Sequence, residues 1–174
     1  MVELKKQNRR ENIKIYNNVS KILQDKLGKN VPINHVGSTA IPYMYGKNIV
    51  DILIGAQNEI ELEKLTESII ELGYFPGKNS KGMTYRFFAN KKEETTSGDI
   101  HLHLAIIDSN RYKDFLILKK YLLINKIERK NYLELKKKIL NDGYSCREDY
   151  KSIKSVYVNE LLDRARKNIK TKDI

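Results

Sequence analysis

Apolar positions along the chain alternate between two spacings, and the switches mark out the elements. Ile13, Tyr16, Val19 and Leu23 recur every three or four residues, which predicts a helix over 4–27 with Gly28 as its stop. Over 31–36 the pattern becomes a short apolar run, opened by Pro32 and broken at Gly37-Ser38. A second apolar run over 48–55 predicts a buried strand carrying one carboxylate, Asp51. Asn58 with Glu61 three residues on predicts a helix N-cap. The helix that follows is expected to bury Ile60, Leu62, Leu65, Ile69 and Leu72 and to end at Gly73. Residues 74–81 are turn-rich, and strands are predicted over 83–89 and 99–106, paired antiparallel around a polar hairpin at 90–98. Beyond Asp108 the period is helical throughout. One helix, capped by Asp108 or Ser109, buries Tyr112, Phe115, Leu118 and Leu122; a second aligns Tyr132, Leu135 and Ile139. A third begins near Asp149 and aligns Tyr150, Ile153, Tyr157, Leu161 and Ala165, with fraying expected over 168–174.

This order implies an α+β fold: a small mixed sheet within about 31–106, flanking helices, and a helical segment over about 108–167. With 174 residues and no internal repeat, one domain accounts for the chain. No apolar run approaches the roughly 20 residues of a membrane span, and Met1 to Arg10 lacks an apolar signal core. Cys146 is alone, so no internal disulfide forms, and it reads as an inert loop thiol. A cytoplasmic protein without a membrane partner is expected. Charge sharpens the partner question. Residues 1–110 carry 15 Lys+Arg against 13 Asp+Glu, and residues 111–174 carry 18 against 9, so +9 of the net +11 sits in the last third. That excess fits a polyanion such as a nucleotide, a coenzyme or RNA; it equally fits a lysine-rich solvated surface.

A carboxylate inside a buried strand costs several kcal/mol unless it is paired or bound to a metal, which makes Asp51 the first candidate for chemistry. Its bland alternative is a buried pair with Lys47, Arg86 or His35. Alternation along 99–103 puts Asp99, His101 and His103 on one strand face and Ile100, Leu102 and Leu104 on the other. Two such histidines can chelate one divalent ion as neutral imidazoles, or can be ordinary polar residues of an edge strand. Gly37 and Ser38 are the candidate phosphate cradle, because glycine admits close backbone approach and successive N–H groups favour an anion. Lys47 is either a counter-charge for phosphate or a solvated loop lysine. His35 either meets ligand or supports Gly37. Arg86, set in Tyr85-Arg86-Phe87-Phe88, either grips a phosphate or carboxylate or is the charged residue of a half-buried strand. Tyr112, Tyr121, Tyr132, Tyr144, Tyr150 and Tyr157 interleave with lysines, as a base-stacking surface or as core. The sequence leaves open whether Lys136, Lys151 and Lys154 face the sheet.

The stretch His-Val-Gly-Ser-Thr-Ala-Ile-Pro from His35, running on through Lys47 to the strand holding Asp51, resembles the signature of the GrpB family (UPF0157-type), a branch of the nucleotidyltransferase superfamily. The matching positions are His35, Gly37, Ser38, Thr39, Ala40, Pro42, Lys47 and Asp51. Tyr43 stands where the family usually has Gly, and Asn48 where it usually has Pro. The His101-x-His103 strand and the Tyr/Lys-rich C-terminal helices extend the resemblance over roughly the whole chain. It implies a nucleotidyltransferase-like fold that binds a nucleotide or other phosphorylated ligand, with Gly37 and Ser38 at the phosphates. It also implies metal-dependent nucleotidyl transfer, with Asp51 as the catalytic, metal-holding carboxylate. The superfamily's second strand carboxylate is replaced by Leu53, as is usual in the family. A metal site would then draw on Asp51 with Asp99, His101 and His103, a donor set that suits Zn²⁺ or Mn²⁺ better than Mg²⁺. The departure at Leu53 favours two alternatives: a catalytically silent accessory or ligand-binding module, as in the similar domain fused to some dephospho-CoA kinases, or RNA binding through the basic C-terminal helices.

Overall fold

Five strands form one mixed sheet in a computed structural model that describes residues 2–77, 82–91, 99–144 and 146–169. The tip of the predicted hairpin, 92–98, and the tail beyond 169 lie outside the described residues. In chain order the elements are β1 (Lys5–Lys6), α1 (Arg9–Leu27), β2 (Ile33–Val36), a 3₁₀ turn (Ser38–Ala40), β3 (Tyr45–Gly46), β4 (Val50–Ala56), α2 (Glu59–Glu71) and β5 (Phe75–Pro76). They continue with β6 (Tyr85–Ala89), β7 (Ile100–Ile106), α3 (Asn110–Ile124), α4 (Lys126–Asn141) and α5 (Arg147–Asn168). The sheet order is β2-β4-β7-β6-β5, with β4 and β7 parallel and their outer neighbours antiparallel.

Local chemistry sets most boundaries. Asn58 caps α2 by accepting from the Glu61 amide at 3.0 Å, while the Glu61 carboxylate reaches back to accept from the Gln57 amide, one residue before the cap, at 2.6 Å. Ser109 caps α3 in the same way through the Tyr112 amide at 3.3 Å. Two expectations need correction. The first helix starts at Arg9, not at residue 4, because Asn8 caps it and Lys5–Lys6 pair with Tyr45–Gly46 as a two-stranded ribbon. Ile60 is 84% exposed, since it lies two residues before Leu62 and therefore on the opposite face of α2.

The sheet has two unlike faces. One carries Val50, Ile52, Ile54, Phe88, Leu102 and Leu104 and is covered by α1 and α2 through Val19, Leu23, Leu62, Leu65 and Ile69. The other carries Val36, Leu53 and Ala105 and meets Tyr112 and Phe115 of α3. The helices α3, α4 and α5 share a core of Ile117, Tyr121, Leu122, Tyr132, Leu161 and Ala165, and Ile41 and Met44 from the loop after the 3₁₀ turn are buried in it. Val2 and Leu4 pack with Ile139 and Tyr150, so the N-terminal segment is seated on α4 and α5. Among the described residues no helix is long and apolar enough to cross a membrane.

Candidate functional site

Strand register brings the central polar groups together. Asp51 pairs across to His101 on one side and to Val36 on the other, while Leu53 pairs with His103. Paired residues share a face, so Asp51, His101 and His103 all point towards the α3 side. The Asp51 carboxylate oxygen Oδ1 lies 3.4 Å from His101 Nδ1 and 3.3 Å from His103 Nε2. His103 Nδ1 in turn lies 2.7 Å from the Tyr85 hydroxyl. One tautomer satisfies both contacts: Nε2–H donates to Asp51, and Nδ1 accepts from the Tyr85 O–H. Burial pushes His103 below the usual imidazole range, against the pull of Asp51. Burial would raise the Asp51 carboxyl, but the hydrogen bonds from His101 and His103 together outweigh it and hold the group below the usual carboxylate range. About a quarter of the Asp51 side-chain surface stays open to solvent (24%). His101 is buried, its Nε2 has no hydrogen-bond partner among the described residues, and the ring of Phe87 meets it edge-on at 4.9 Å.

Of the expected metal donors, Asp51, His101 and His103 meet in hydrogen-bond contact at the Asp51 carboxylate. Asp99 is buried and paired with Lys91 at 2.6 Å. Among the described residues, no three or more His, Cys, Asp or Glu side chains are arranged to hold a metal ion. In the tautomer above, the His103 nitrogen facing Asp51 carries its proton and has no lone pair to offer there. Leu53 is fully buried on the same sheet face, so no second carboxylate follows Asp51 along its strand.

Gly37 sits against Asp51. Its φ of 70° belongs to the left-handed region, and a Cβ there would lie 2.1 Å from Asp51 Oδ2, so only glycine fits. Ser38 Oγ accepts from the Gln7 amide at 3.1 Å. Gly46 closes this corner, for a Cβ on it would lie 2.7 Å from Ser38 Oγ. His35 and Arg86 lie on the other face of the sheet. His35 stacks on Tyr16 of α1 with ring centres 4.8 Å apart and contacts Thr39 Oγ1 at 3.0 Å, propping the 37–40 turn from behind. Burial, followed by the Lys119 charge, pushes it down to about 4. Arg86, paired in register with Leu104, turns towards α2 and engages Glu63 and the Gly82 carbonyl.

Three further groups complete the site: Lys136 and Lys154, whose orientation the sequence left open, and Arg111, which it did not single out. Lys136 of α4 is only 3% exposed, donates to the Tyr45 carbonyl at 2.9 Å and lies 4.6 Å above the Tyr132 ring. Burial and then the neighbouring Lys154 charge push its amine down to about 7, while Asp51 opposes the fall. Lys154 of α5 stands 5.9 Å over Tyr150; burial lowers it, and it too feels Asp51. Arg111 of α3 lies 4.8 Å over the Tyr85 ring, and burial raises the Tyr85 hydroxyl above its usual range against the pull of that charge. A register of lysines at helical spacing was legible in the sequence; which of them turn inwards was not.

A family model described as "GrpB protein" matches residues 2–164. The chain belongs to the GrpB family. Among GrpB relatives, a UPF0157 protein of Halalkalibacterium halodurans is 28% identical over 158 residues, spanning 87% of this chain and 76% of that one. The glutamate-rich protein GrpB of Alkalihalophilus pseudofirmus is 26% identical over 86% of this chain and 88% of its own. The crystal structure of conserved protein GrpB from Enterococcus faecalis superposes with a TM-score of 0.81 at 19% identity, covering 95% of this chain and 98% of that one. A cytoplasmic RNA terminal U-transferase superposes at 0.51 and 11% identity, with 75% of this chain on 41% of the other. The GrpB fold of this chain is therefore nucleotidyltransferase-like.

Proposed function

We propose that this GrpB protein binds a nucleotide or another phosphorylated small molecule beside Asp51, with Gly37, Ser38 and Lys47 on the sheet side and Lys136 and Lys154 on the helical side. The observation that carries the reading is the inward pair of lysines. A buried ammonium is costly unless an anion meets it, and Lys136 has a carbonyl and a ring rather than a carboxylate. Lys154 is charged beside it, so an anion placed between the two amines would hold both in their protonated form. The same corner holds the Ser38 hydroxyl, reached through Tyr45 and Gly46. Phosphate oxygens fit such a site because they accept charge-assisted hydrogen bonds from several donors at once.

Leu53 in place of a second carboxylate favours binding, or chemistry led by protein side chains, over a carboxylate-pair metal mechanism. Isothermal titration with ATP, ADP and pyrophosphate tests the reading. Binding is expected for at least one of them, with the double variant K136M/K154M weakened by about a hundredfold, the scale of two contacts to charged groups. No heat from any of the three, in a protein that unfolds cooperatively, would sink it.

A further inference from the structure

The line of contacts from Asp51 through His103 ends on a hydroxyl. Tyr85 O–H donates to His103 Nδ1 at 2.7 Å, and His103 Nε2–H is oriented by Asp51 Oδ1 at 3.3 Å. This is the layout of a nucleophile, its base and the group that orients the base. Phe115 packs on the His103 ring at 4.6 Å and Phe87 at 5.4 Å, which fixes the imidazole between its two partners. The guanidinium of Arg111, on the exposed first turn of α3, lies 4.8 Å over the Tyr85 ring and 5.4 Å from the Phe115 ring and sets a positive charge beside the phenol. We propose that Tyr85 is a nucleophile that takes up a phosphorus-centred group from a bound phosphoanhydride, with His103 as its base, Asp51 as the positioning residue and Arg111 holding the transferring group.

The step balances without a further reactant. Tyr85 Oη attacks the phosphorus, and an O–P bond forms. The P–O bond to the leaving group breaks, releasing pyrophosphate when the α phosphorus of ATP is attacked and ADP when the γ phosphorus is, and the leaving group departs with the electron pair. The phenolic proton passes to His103 Nδ1, and Asp51 steadies the imidazolium that results. The product is a phosphotyrosyl or nucleotidyl-tyrosyl protein. The inference rests on the phosphorylated-ligand reading above, since the anhydride has to be bound.

The test uses the full-length protein with ATP labelled at the α or at the γ phosphorus, peptide mapping of any covalent label, and ATP titration on the same preparation. Label on Tyr85 is expected, with the α or the γ arm naming the group transferred. Y85F, which keeps the ring and removes the hydroxyl, should carry none, and H103Q should label at least about a hundredfold more slowly, the range of a lost general base. Melting curves of both variants report whether the fold survives. ATP binding without label on Tyr85, or with label elsewhere, overturns this proposal and leaves the binding reading intact. Absence of ATP binding removes this proposal, and the binding reading falls with it only if ADP and pyrophosphate fail to bind as well.

Discussion

Lys136 is the residue at which burial and charge conflict most openly, and its titration has two consequences of opposite sign. Its folded-state value, about 7, lies far below the ordinary 10.5 of a lysine. Between those values the unfolded chain binds the extra proton, so stability contributed at this position rises with pH across the window and is lost as pH falls through about 7. Replacing Lys136 with Met should therefore raise the urea midpoint most at pH 6 and progressively less towards pH 10. Anion binding runs the other way. ATP affinity should weaken as pH rises above 7 in the natural protein and be about tenfold or more weaker in K136M, with the pH slope reduced. If K136M binds as well as the natural chain at pH 6, the lysine is structural. Much of this residue-level chemistry was legible beforehand. Asp51 stood out because a carboxylate does not belong in an apolar strand, and alternation alone put His101 and His103 on one face. The partners of Arg86 and His35 were not legible, since a period of two separates faces without saying which helix covers each.

At the scale of elements, the N-terminal ribbon is the main departure from the helical pattern read at its start. Residues 4–8 have no long-range cue in their own sequence; what holds β1 extended is pairing with β3, some forty residues on, and the Asn8 cap that forbids an earlier helix start. The same non-locality hid β5 and the inward turn of Lys136. The Asn58 cap and the glycine stops, which act within one turn, were read correctly at α2 and at the end of α1. The ribbon lies against the site through Gln7, whose amide occupies the Ser38 hydroxyl. Removing residues 2–7 should accelerate amide exchange at 45–46 by at least tenfold and lower the melting temperature by several degrees, as Val2 and Leu4 leave Ile139 and Tyr150 uncovered. Unchanged exchange at 45–46 would mean that β3 does not depend on its partner.

For the whole molecule, the question is where an excess of +9 over residues 111–174 goes. A share of it fastens the helices to one another. Arg164 holds Glu128 at 2.7 Å, Arg166 bridges Asp114 and Asp163 at 2.7 and 3.0 Å, and Arg129 caps the end of α3 through the Leu122 carbonyl at 3.1 Å. The inward lysines form a compact positive spot rather than a stripe. Such a spot predicts a shallow salt response: ATP affinity should fall by less than about tenfold between 50 and 200 mM salt, whereas an RNA held through 6–10 phosphates loses roughly 10³–10⁵ over that range. Titrating both ligands at the two concentrations separates a small phosphorylated partner from a nucleic acid.

The seating of Val2 on α4 and α5, with the ribbon leading directly from it to the Ser38 corner, bears on how the protein is handled. Anything fused ahead of Val2 adjoins a residue that packs on the lysine-bearing helices and leads through the ribbon to Gln7. A handle placed after the last residue does not adjoin Val2, so titrations made with handles at the two ends report whether that brace reaches the site.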